Sequence, residues 1–313
     1  MPLKVINPGL FSTVQDLGRT GFRSRGVPTA GVFDSKSASL ANALLANPPN
    51  CAMIELTLRG GVYEAQSPLA LALAGASMEA RISRPNAPER LLQIPQSFSL
   101  QTGDRLVLGA VQKGARTYLA TLDGWQTPLV LGSRSSETPL RPGDILPSRQ
   151  GFILPKRPHD QPELMESEIT LRVLDGPDAD PLSTAWLDQN PTYHVGPKSN
   201  RIGLRLKGAT WPVEPDPDRF STPLSPGAIQ VAGGLPLLLG VACGTMGGYP
   251  HVAQVISADR DRIAQARPGD LLRLVRVTLD EARRLDALSR REHYLRLLRV
   301  AAACADNLQD EPS

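Results

Sequence analysis

The sequence predicts a mainly β protein made of two barrel-like halves and a C-terminal α-helix. The 313 residues exceed the usual size of one domain, which favours two. The chain has 27 glycines and 29 prolines but only 4% aromatic residues, a composition that indicates many turns and therefore many short strands. A Gly-Asp turn feeds a hydrophobic run at Gly103-Asp104 and Gly143-Asp144, and again at Gly269-Asp270, as at a β-meander or barrel corner. Its return near the far end predicts that the second half repeats the first.

The first half contains short apolar or alternating runs separated by turn residues. A glycine-rich loop from Pro8 to Asp34 follows the first strand, and it is too polar to be a plain strand or helix. Asp34 is expected to cap a helix that runs through Asn47 and buries Ala38 and Ala41. The predicted strands are Leu3–Ile6, Met53–Leu58, Leu69–Ala74, Arg90–Leu100, Leu106–Val111 and Thr117–Leu122.

The charged segment Lys156–Glu168 is the best candidate for a linker, so we divide the chain into residues 1–157 and 158–313. In the second half, Asp180 and Pro181 predict the start of a short helix that ends near Leu187. Thr278 and Glu281 form a capping box that predicts a C-terminal amphipathic helix. The predicted strands are Ile169–Leu174, Tyr193–Val195, Gly203–Leu206, Ala228–Val231, Pro236–Val241, Val252–Ser257 and Leu271–Val277.

Composition argues against several classes of function. The net charge is +3 without a basic stripe, so nucleic acid is not an expected partner. No apolar run approaches the roughly 20 residues of a membrane span, and the N-terminus lacks an apolar signal segment. The three cysteines lack metal or redox spacing and fit a reducing cytosol, so we expect a cytoplasmic protein. The four histidines are scattered, so no metal site is expected.

Two polar clusters are candidates for a functional site. One is the loop Gln15–Arg25, and the other combines Ser199–Arg201 with Gln230 and the segment Thr245–Tyr249. Together with their glycines they favour a small-molecule cleft between two barrels. The alternatives are a solvated connection for the loop, a surface position for the arginine and a packing role for the tyrosine. The sequence contains neither a Gly-x-Ser-x-Gly elbow nor a Walker-type phosphate loop.

Long strings of the sequence resemble one family in order, over about residues 5 to 277. These strings are TVQDLGRTGFRSRGVPTAGVFD, LANALLAN, IELTLRGG, GARTYLA, LGSRSS, SNRIGLRLKG, SPGAIQVAGG and GGYPHVAQVISADRDRIAQARPGD. They are similar to the biotin-dependent carboxyltransferase, or allophanate hydrolase subunit 2, family. That family includes the C subunit of ATP-dependent 5-oxoprolinase, KipA-type regulators and part of the carboxyltransferase domain of urea carboxylase. The resemblance implies two cyclophilin-like β-barrel halves.

The resemblance implies a hetero-oligomer. The expected partner is a KipI-like protein or a protein like the B subunit of 5-oxoprolinase, and the A subunit is a further candidate. The leading hypothesis is one component of an ATP-dependent 5-oxoprolinase, with ATP held on the complex. On that hypothesis, Asp16 and Asp34 are the carboxylates for proton transfer, and Arg19 and Arg201 donate charge-assisted hydrogen bonds. The small-molecule substrate is expected to be bound and oriented by Gln15, Asn42, Gln230, Thr245 and Tyr249.

The chain departs from the family's pattern at two places. Ala242 and Gly244 stand where the family has a polar or acidic residue and a glutamine, and Met246 replaces a threonine. The family's glycine-rich loop is shortened to Ser136–Pro139. Two other hypotheses therefore stay open. One is a carboxyltransferase acting on a urea-like or amide acceptor, with biotin carried by another protein because the chain lacks a Met-Lys-Met sequence. The other is a non-catalytic, KipA-like regulatory binding protein.

Overall fold

The structure is a computed structural model that describes residues 2–85, 87–158, 168–213 and 218–305. The chain forms two compact units. The first unit comprises Met1–Gly18, Asp34–Leu164 and Glu292–Ser313, and the second comprises Arg19–Phe33 and Met165–Arg291. The end of the glycine-rich loop, from Arg19 to Phe33, thus belongs to the second unit although the strands beside it in the sequence belong to the first.

The first unit is built on a nine-stranded sheet that curls into a half-barrel. Its strands are β1 Leu3–Asn7, β2 Phe11–Gln15, β3 Met53–Thr57, β4 Val62–Ala65, β5 Leu69–Arg84, β6 Ala87–Leu92, β7 Gln96–Leu100, β8 Arg105–Thr121 and β9 Ile145–Leu146. The order β2-β3-β8-β4-β1-β9 forms the main path, and β5 pairs with β6, β7 and β8. Helix α1, Ser35–Ala43, packs against β5 and β8. Its buried Ala38 and Ala41 have small side chains, which allow close approach to the sheet.

The second unit contains a closed seven-stranded barrel in the order β10-β17-β14-β15-β12-β11-β18. The elements after β9 are β10 Glu168–Asp175, α2 Pro181–Leu187, β11 Thr192–Val195, β12 Gly203–Gly208, β13 Thr222–Pro223, β14 Ala228–Ala232, β15 Leu235–Leu239, β16 Met246–Gly247, β17 His251–Val255, α3 Arg260–Gln265, β18 Leu271–Arg276 and α4 Leu279–Ala305. The parallel pairing of β10 with β18 closes the barrel, and the short strands β13 and β16 form a separate ribbon.

Each unit has its own hydrophobic core. The first core includes Leu3, Ile54, Phe98 and Trp125, all fully buried. The second core fills the closed barrel, where the rings of Tyr193 and Trp211 stack with centroids 6.3 Å apart. Because a fully buried leucine or phenylalanine side chain contributes about 1.5–3 kcal/mol, the two cores are the main source of stability.

The three Gly-Asp turns share one hydrogen-bond pattern. In each turn the aspartate carboxylate accepts the backbone N–H of the residue three positions earlier, at 2.8–3.0 Å. The glycine has a positive φ of 85°, 93° and 96° in the three turns. Its N–H donates to the carbonyl of a strand residue, and the N–H of that same strand residue donates to the aspartate carbonyl. The strand residues held in this way are Ala65, Val5 and Val195. The repeated sequence therefore encodes a repeated structural connection in both units.

The predicted fold class is confirmed, since strands predominate and both units are built on curved sheets. The helix predicted at Asp34 begins there, with the Asp34 side chain accepting the Ser37 N–H, but it ends at Ala43 instead of Asn47. The helix from Pro181 to Leu187 and the C-terminal helix are also confirmed. The domain boundary after residue 157 stays a prediction, because residues 159–167 lie outside the described part of the chain.

Several strand boundaries predicted for the first unit differ from the structure. The predicted strand Arg90–Leu100 is two strands, β6 and β7, because Pro95 has no N–H to donate to a sheet. The predicted strands Leu106–Val111 and Thr117–Leu122 are parts of one long strand, β8. The loop predicted from Pro8 contains strand β2, whose side chains Ser12, Thr13 and Gln15 are polar yet buried.

The turn geometry predicts the effect of replacing its glycines. At Gly103, Gly143 and Gly269 a Cβ would meet no heavy atom within 4 Å, so the cost of alanine is confined to the positive φ. We expect each Gly→Ala variant to lose about 1–2 kcal/mol of unfolding free energy, measured by urea denaturation. Gly248→Ala is the matched control, because Gly248 has no positive φ and its nearest neighbour would be 3.6 Å away. Stabilities unchanged in all three variants would contradict the common turn.

Candidate functional site

The predicted site residues are divided between the two units. Gln15, Asp16, Asp34 and Asn42 belong to the first unit. The second unit contains Arg19, Arg201, Gln230, Thr245 and Tyr249. The contacts within each unit distinguish two kinds of side chain. Some hold the backbone in place, and others have a polar atom available for a ligand.

Asp16 lies just after β2 and anchors the loop that contains Ser133 and Ser135. Its carboxylate accepts hydrogen bonds from both serine hydroxyls, at 2.6 and 2.7 Å, and from the N–H groups of Gly18 and Arg134, at 2.8 and 2.6 Å. Burial raises the pKa of Asp16, but these hydrogen bonds outweigh burial and hold the pKa below its usual range. A carboxylate with a lowered pKa is a weak base, so the arrangement favours positioning of the loop over proton transfer.

Asp34 caps helix α1. Its two carboxylate oxygens accept the Ser37 N–H at 2.9 Å and the Ser37 hydroxyl at 2.6 Å. Its own N–H donates to the Tyr118 hydroxyl at 2.7 Å. Asp34 therefore fixes the start of α1 over strand β8, in addition to any role in proton transfer.

A buried polar cluster beneath the start of α1 was not predicted from the sequence. The Tyr118 hydroxyl donates to Glu55 at 2.8 Å, and the Arg116 Nε lies 3.5 Å from the same carboxylate. All three side chains are buried, and burial together with the charges of Glu55 and Asp34 raises the pKa of Tyr118. The available signal was the alternation of β3, which places Glu55 on the side opposite Ile54 and Leu56. Helix α1 packs against β8, the strand that contains Tyr118 and Arg116.

Gln15 and Asn42 are both buried, but their side chains differ in what they leave available. The Gln15 Nε2 donates to Thr13 Oγ1 at 2.9 Å and to the Ser136 carbonyl at 2.7 Å. Its Oε1 has no partner among the described residues. Asn42 donates to the Cys51 carbonyl at 3.0 Å and accepts from Asn47 at 3.1 Å, which closes the loop after α1. Gln15 thus offers an acceptor, whereas Asn42 has a structural role.

The loop Ser136–Pro139 runs along the edge of β2, the terminal strand of the sheet's main path. The Ser136 N–H donates to the Val14 carbonyl at 2.9 Å, and the Leu140 N–H donates to the Ser12 carbonyl at 2.8 Å. These bonds satisfy backbone groups that an edge strand would otherwise expose. The loop therefore keeps Gln15 in an ordered strand and Asp16 directly after it.

In the second unit, Arg201 holds the segment from Arg19 to Phe33. The Arg201 guanidinium is buried and donates to the Gly31 carbonyl at 2.6 Å. Phe33 is part of the barrel core. The backbone N–H of Arg19 donates to the Thr29 carbonyl at 2.8 Å, which closes the segment on itself. The segment is therefore an ordered part of the second unit, and Arg201 is one of its anchors.

Thr245, Gln230 and Tyr249 lie around the ribbon formed by β13 and β16. The Thr245 carbonyl accepts from the Leu224 N–H at 3.0 Å, and the Leu224 carbonyl accepts from Arg23. The buried Gln230 donates to the Tyr249 carbonyl at 2.8 Å, while the Tyr249 side chain is exposed. The structure thus brings these three residues together within the second unit.

The described residues contain no group of three His, Cys, Asp or Glu side chains arranged to hold a metal ion. A cavity of about 700 Å³ in the first unit is lined by residues of β5 and β6 and by Ile94, Gln112 and Arg157, and none of the predicted site residues lines it. Among the helices of the described chain, none is long and apolar enough to cross a membrane.

The Asp16 anchor predicts an acid-sensitive contribution to stability. We expect Asp16→Asn to lower the unfolding free energy by about 2–3 kcal/mol at pH 7, because hydrogen bonds to a charged group are lost. The pKa of Asp16 is lowered on folding, so its stabilisation is complete above the unfolded value of about 3.9 and is lost as the pH falls through the folded pKa. Urea unfolding of both proteins between pH 7 and pH 2 measures this difference.

Asp123→Asn is the matched control, because Asp123 forms an exposed ion pair with Arg149 at 3.1 Å. We expect that control to change the unfolding free energy by less than about 0.5 kcal/mol. A difference between wild type and Asp16→Asn that stays constant across the acid range would show that the Asp16 carboxylate is not the stabilising group.

The Arg201 anchor predicts local opening on its removal. We expect Arg201→Met to speed hydrogen exchange of the amides from residue 19 to residue 33 by roughly tenfold, the effect of losing about 1.4 kcal/mol of local stability. Arg205→Met on the exposed side of β12 is the control and should leave this segment protected. Equal protection in Arg201→Met and wild type would remove the anchoring role.

Comparison with known proteins places the chain among carboxyltransferase domains. The model of the carboxyltransferase domain, subdomain A and B, matches residues 25–276. The C subunit of 5-oxoprolinase from Escherichia coli K12 is 33% identical over 298 residues, which cover 90% of this chain and 93% of that protein. The C subunit of 5-oxoprolinase from Haemophilus influenzae is 26% identical, and the match covers 88% of this chain and 91% of that protein. The urea amidolyase of Lachancea kluyveri is 28% identical over 90% of this chain but only 17% of its own length.

Solved structures agree with this relationship. A crystal structure of TTHA0988 has a TM-score of 0.79 and 31% identity, and the match covers 88% of this chain and 55% of that chain. The urea amidolyase of K. lactis has a TM-score of 0.81 and 26% identity over 93% of this chain and 20% of its own. The chain thus spans about half of this TTHA0988 chain and a fifth of the amidolyase. From the family match and the E. coli relative together, the chain belongs to the family of carboxyltransferase domains with subdomains A and B.

Proposed function

We propose that the chain is one component of an ATP-dependent 5-oxoprolinase, which opens 5-oxoproline to glutamate together with partner subunits. The observation that carries the proposal is the 33% identity to the C subunit of the E. coli 5-oxoprolinase, which extends over 90% of this chain and 93% of that protein. Identity over nearly the full length of both chains supports an equivalent component better than it supports one shared domain.

The chemistry of a five-membered lactam explains why such a system uses ATP. Amide resonance stabilises the ring, and the ring has little strain to assist its opening. Activation of the carbonyl oxygen removes that resonance, and hydrogen-bond donors placed near the developing charge lower the barrier. The sequence has no glycine-rich loop with lysine that opens a helix, so we assign ATP binding to the partner subunits.

A protein partner is supported by the surface of the first unit. Leu129, Val130 and Leu131 are consecutive and exposed, in the loop before the serines that Asp16 anchors. Consecutive exposed apolar residues are typical of surfaces that bind other proteins. The partner proposed for this chain is a KipI-like protein or one of the type of the 5-oxoprolinase B subunit, and the A subunit is a further candidate.

A second candidate function is a biotin-dependent carboxyltransferase that acts on a urea-like or amide acceptor. The match to the carboxyltransferase family and the likeness to urea amidolyases favour it. Biotin would arrive on another protein. A third candidate, a KipA-like regulatory binding protein, is favoured by Ala242 and Gly244, which remove polar side chains expected in a catalytic cleft.

The assay compares the purified chain with a complex co-expressed with the partner subunits. We expect neither ATP hydrolysis nor glutamate formation from the chain alone, and both from the complex. Phosphate release and glutamate are measured with 5-oxoproline as substrate. Efficient turnover by the chain alone would contradict the proposal. A complex that associates but stays inactive would favour the regulatory function, and carboxybiotin-dependent carboxylation of urea would favour the second candidate.

The exposed apolar loop predicts where the partner binds. We expect Val130→Asp to weaken association by at least tenfold, because a charge in an apolar interface must be desolvated. Leu91→Asp is the matched control, since Leu91 is also an exposed apolar residue of the first unit, on β6. Affinities are compared by isothermal titration of the partner. Equal affinities for the two variants would place the interface elsewhere.

A further inference from the structure

Four buried polar atoms in the second unit have no hydrogen-bond partner among the described residues. The Trp211 Nε1 lies in the barrel core, and the other three are the Arg219 Nε, the Thr222 Oγ1 and the His251 Nε2. The His251 side chain is only 7% exposed, and buried polar groups without a partner are costly. Such atoms in one region indicate a ligand or an ordered water that satisfies them.

The hydrogen bonds around Asp178 bring two of these residues together. The Asp178 carboxylate pairs with the Arg219 guanidinium and also accepts the backbone N–H of His251 at 2.8 Å. A Cβ on Gly176 would lie 2.1 Å from the His251 carbonyl, so only glycine allows this approach. Asp178 therefore fixes the position of Arg219 beside the start of β17.

Strand pairing brings Thr222 to the same place. His251 pairs with Gln230 across β17 and β14, so their side chains lie on one face of the barrel wall. Thr222 pairs with Gly247 in the ribbon of β13 and β16. A Cβ on Gly247 would lie 2.8 Å from the Gln230 amide nitrogen, so the ribbon covers the face that carries Gln230 and His251.

The available atoms include one fixed donor and one imidazole nitrogen that can accept. The Arg219 Nε–H donates only. Burial holds the pKa of His251 below its usual range, although Asp178, the Ala253 backbone and the Gln254 side chain act in the opposite direction. The ring is therefore neutral at pH 7. A neutral imidazole has one donor nitrogen and one acceptor nitrogen, so the unpartnered His251 Nε2 can accept a hydrogen bond. The Thr222 hydroxyl can either donate or accept a hydrogen bond.

The net charge of this group of residues is near zero. Arg219 is neutralised by Asp178, and His251 is neutral, so nothing here selects for an anion. Large apolar side chains surround the polar atoms in the sequence: Phe220, Met246 and Tyr249 are 87%, 52% and 54% exposed. Small-molecule sites combine apolar side chains with a few polar groups, and the composition of this region matches that combination.

We propose that Arg219, Thr222 and His251 bind the amide group, –CO–NH–, of a small cyclic amide or a urea. The Arg219 Nε–H donates to the ligand's carbonyl oxygen, and the His251 Nε2 accepts the ligand's N–H. The ribbon of β13 and β16 contains only two residue pairs, so few hydrogen bonds need to break for a ligand to enter. The identity of the ligand rests on the proposed function, whereas the donor and acceptor pattern does not.

The test uses the full chain labelled with ¹⁵N-histidine and titrated separately with 5-oxoproline, urea and proline, which lacks the amide. In the free protein we expect the His251 Nε2 to be unprotonated at pH 7. We expect a saturable shift of the Nε2 resonance with 5-oxoproline, with urea or with both, and none with proline. A response to urea alone would assign the site to the urea class. An Nε2 that carries the proton in the free protein, or no saturable response to either amide, would overturn the proposal and leave ordered water as the partner.

Variants locate the binding on these side chains. We expect Thr222→Val, which keeps the side-chain shape, to weaken binding by at least fivefold, and Arg219→Lys, which keeps the charge opposite Asp178, to do the same. Ser221→Ala and His194→Asn are the matched controls and should bind as wild type. Equal affinity in Thr222→Val, Arg219→Lys and wild type would also overturn the site. The titration needs no partner, so it separates this proposal from the proposed function. If the chain binds an amide at Arg219, Thr222 and His251 but the complex is inactive, only the 5-oxoprolinase proposal is rejected. If the complex turns over 5-oxoproline but the chain does not bind an amide at these residues, only this site is rejected.

Discussion

Buried carboxylates must have their hydrogen-bonding capacity satisfied, and both units are organised around groups that meet this requirement. An ionised carboxylate removed from water costs several kcal/mol unless donors replace the solvent. For Asp16, the donors that replace the solvent are two serine hydroxyls and two backbone N–H groups. Asp259, fully buried in the second unit, accepts the backbone N–H and the Nε of Arg172, both at 2.8 Å. Because each carboxylate joins segments distant in sequence, satisfying its charge also fixes the loops.

The sequence predicted the features that depend on neighbouring residues. The caps at Asp34 and Asp180 and the Gly-Asp turns were found because each is decided within about four residues. Strand β2 was missed because its polar side chains resemble a loop in any short window. The hydroxyl partners of Asp16 lie 117 and 119 positions away, and Tyr118 lies 63 positions from Glu55. Local polarity indicates an exposed residue, but long-range strand pairing can bury that residue. A single sequence does not show which distant segments pair.

The glycine-rich stretch shows how polar residues divide between structure and chemistry. Asp16 and Arg23 both lie in the loop that the sequence predicted as a candidate site, yet the side chains of both form hydrogen bonds with the chain itself. Gln15 differs, because its Oε1 is buried and has no partner among the described residues. A polar atom whose hydrogen bonds are all made stabilises the fold, whereas a buried one left without a partner costs stability unless a ligand or water satisfies it. This distinction, more than residue type, identifies the atoms worth assigning to a substrate.

The same distinction applies to Ala242, whose methyl side chain can neither donate nor accept a hydrogen bond. The backbone N–H of Ala242 donates to the Arg201 carbonyl at 3.0 Å, so this position contributes to the fold through its main chain. If the chain acts on an amide or a urea, recognition falls to other polar atoms. The second unit offers a neutral set at Arg219, Thr222 and His251. A neutral set of atoms suits the uncharged amide group of a lactam or a urea and is unsuited to phosphate, which requires positive charge or a helix N-terminus. The physical chemistry therefore favours a division in which this chain binds the amide and a partner protein binds ATP.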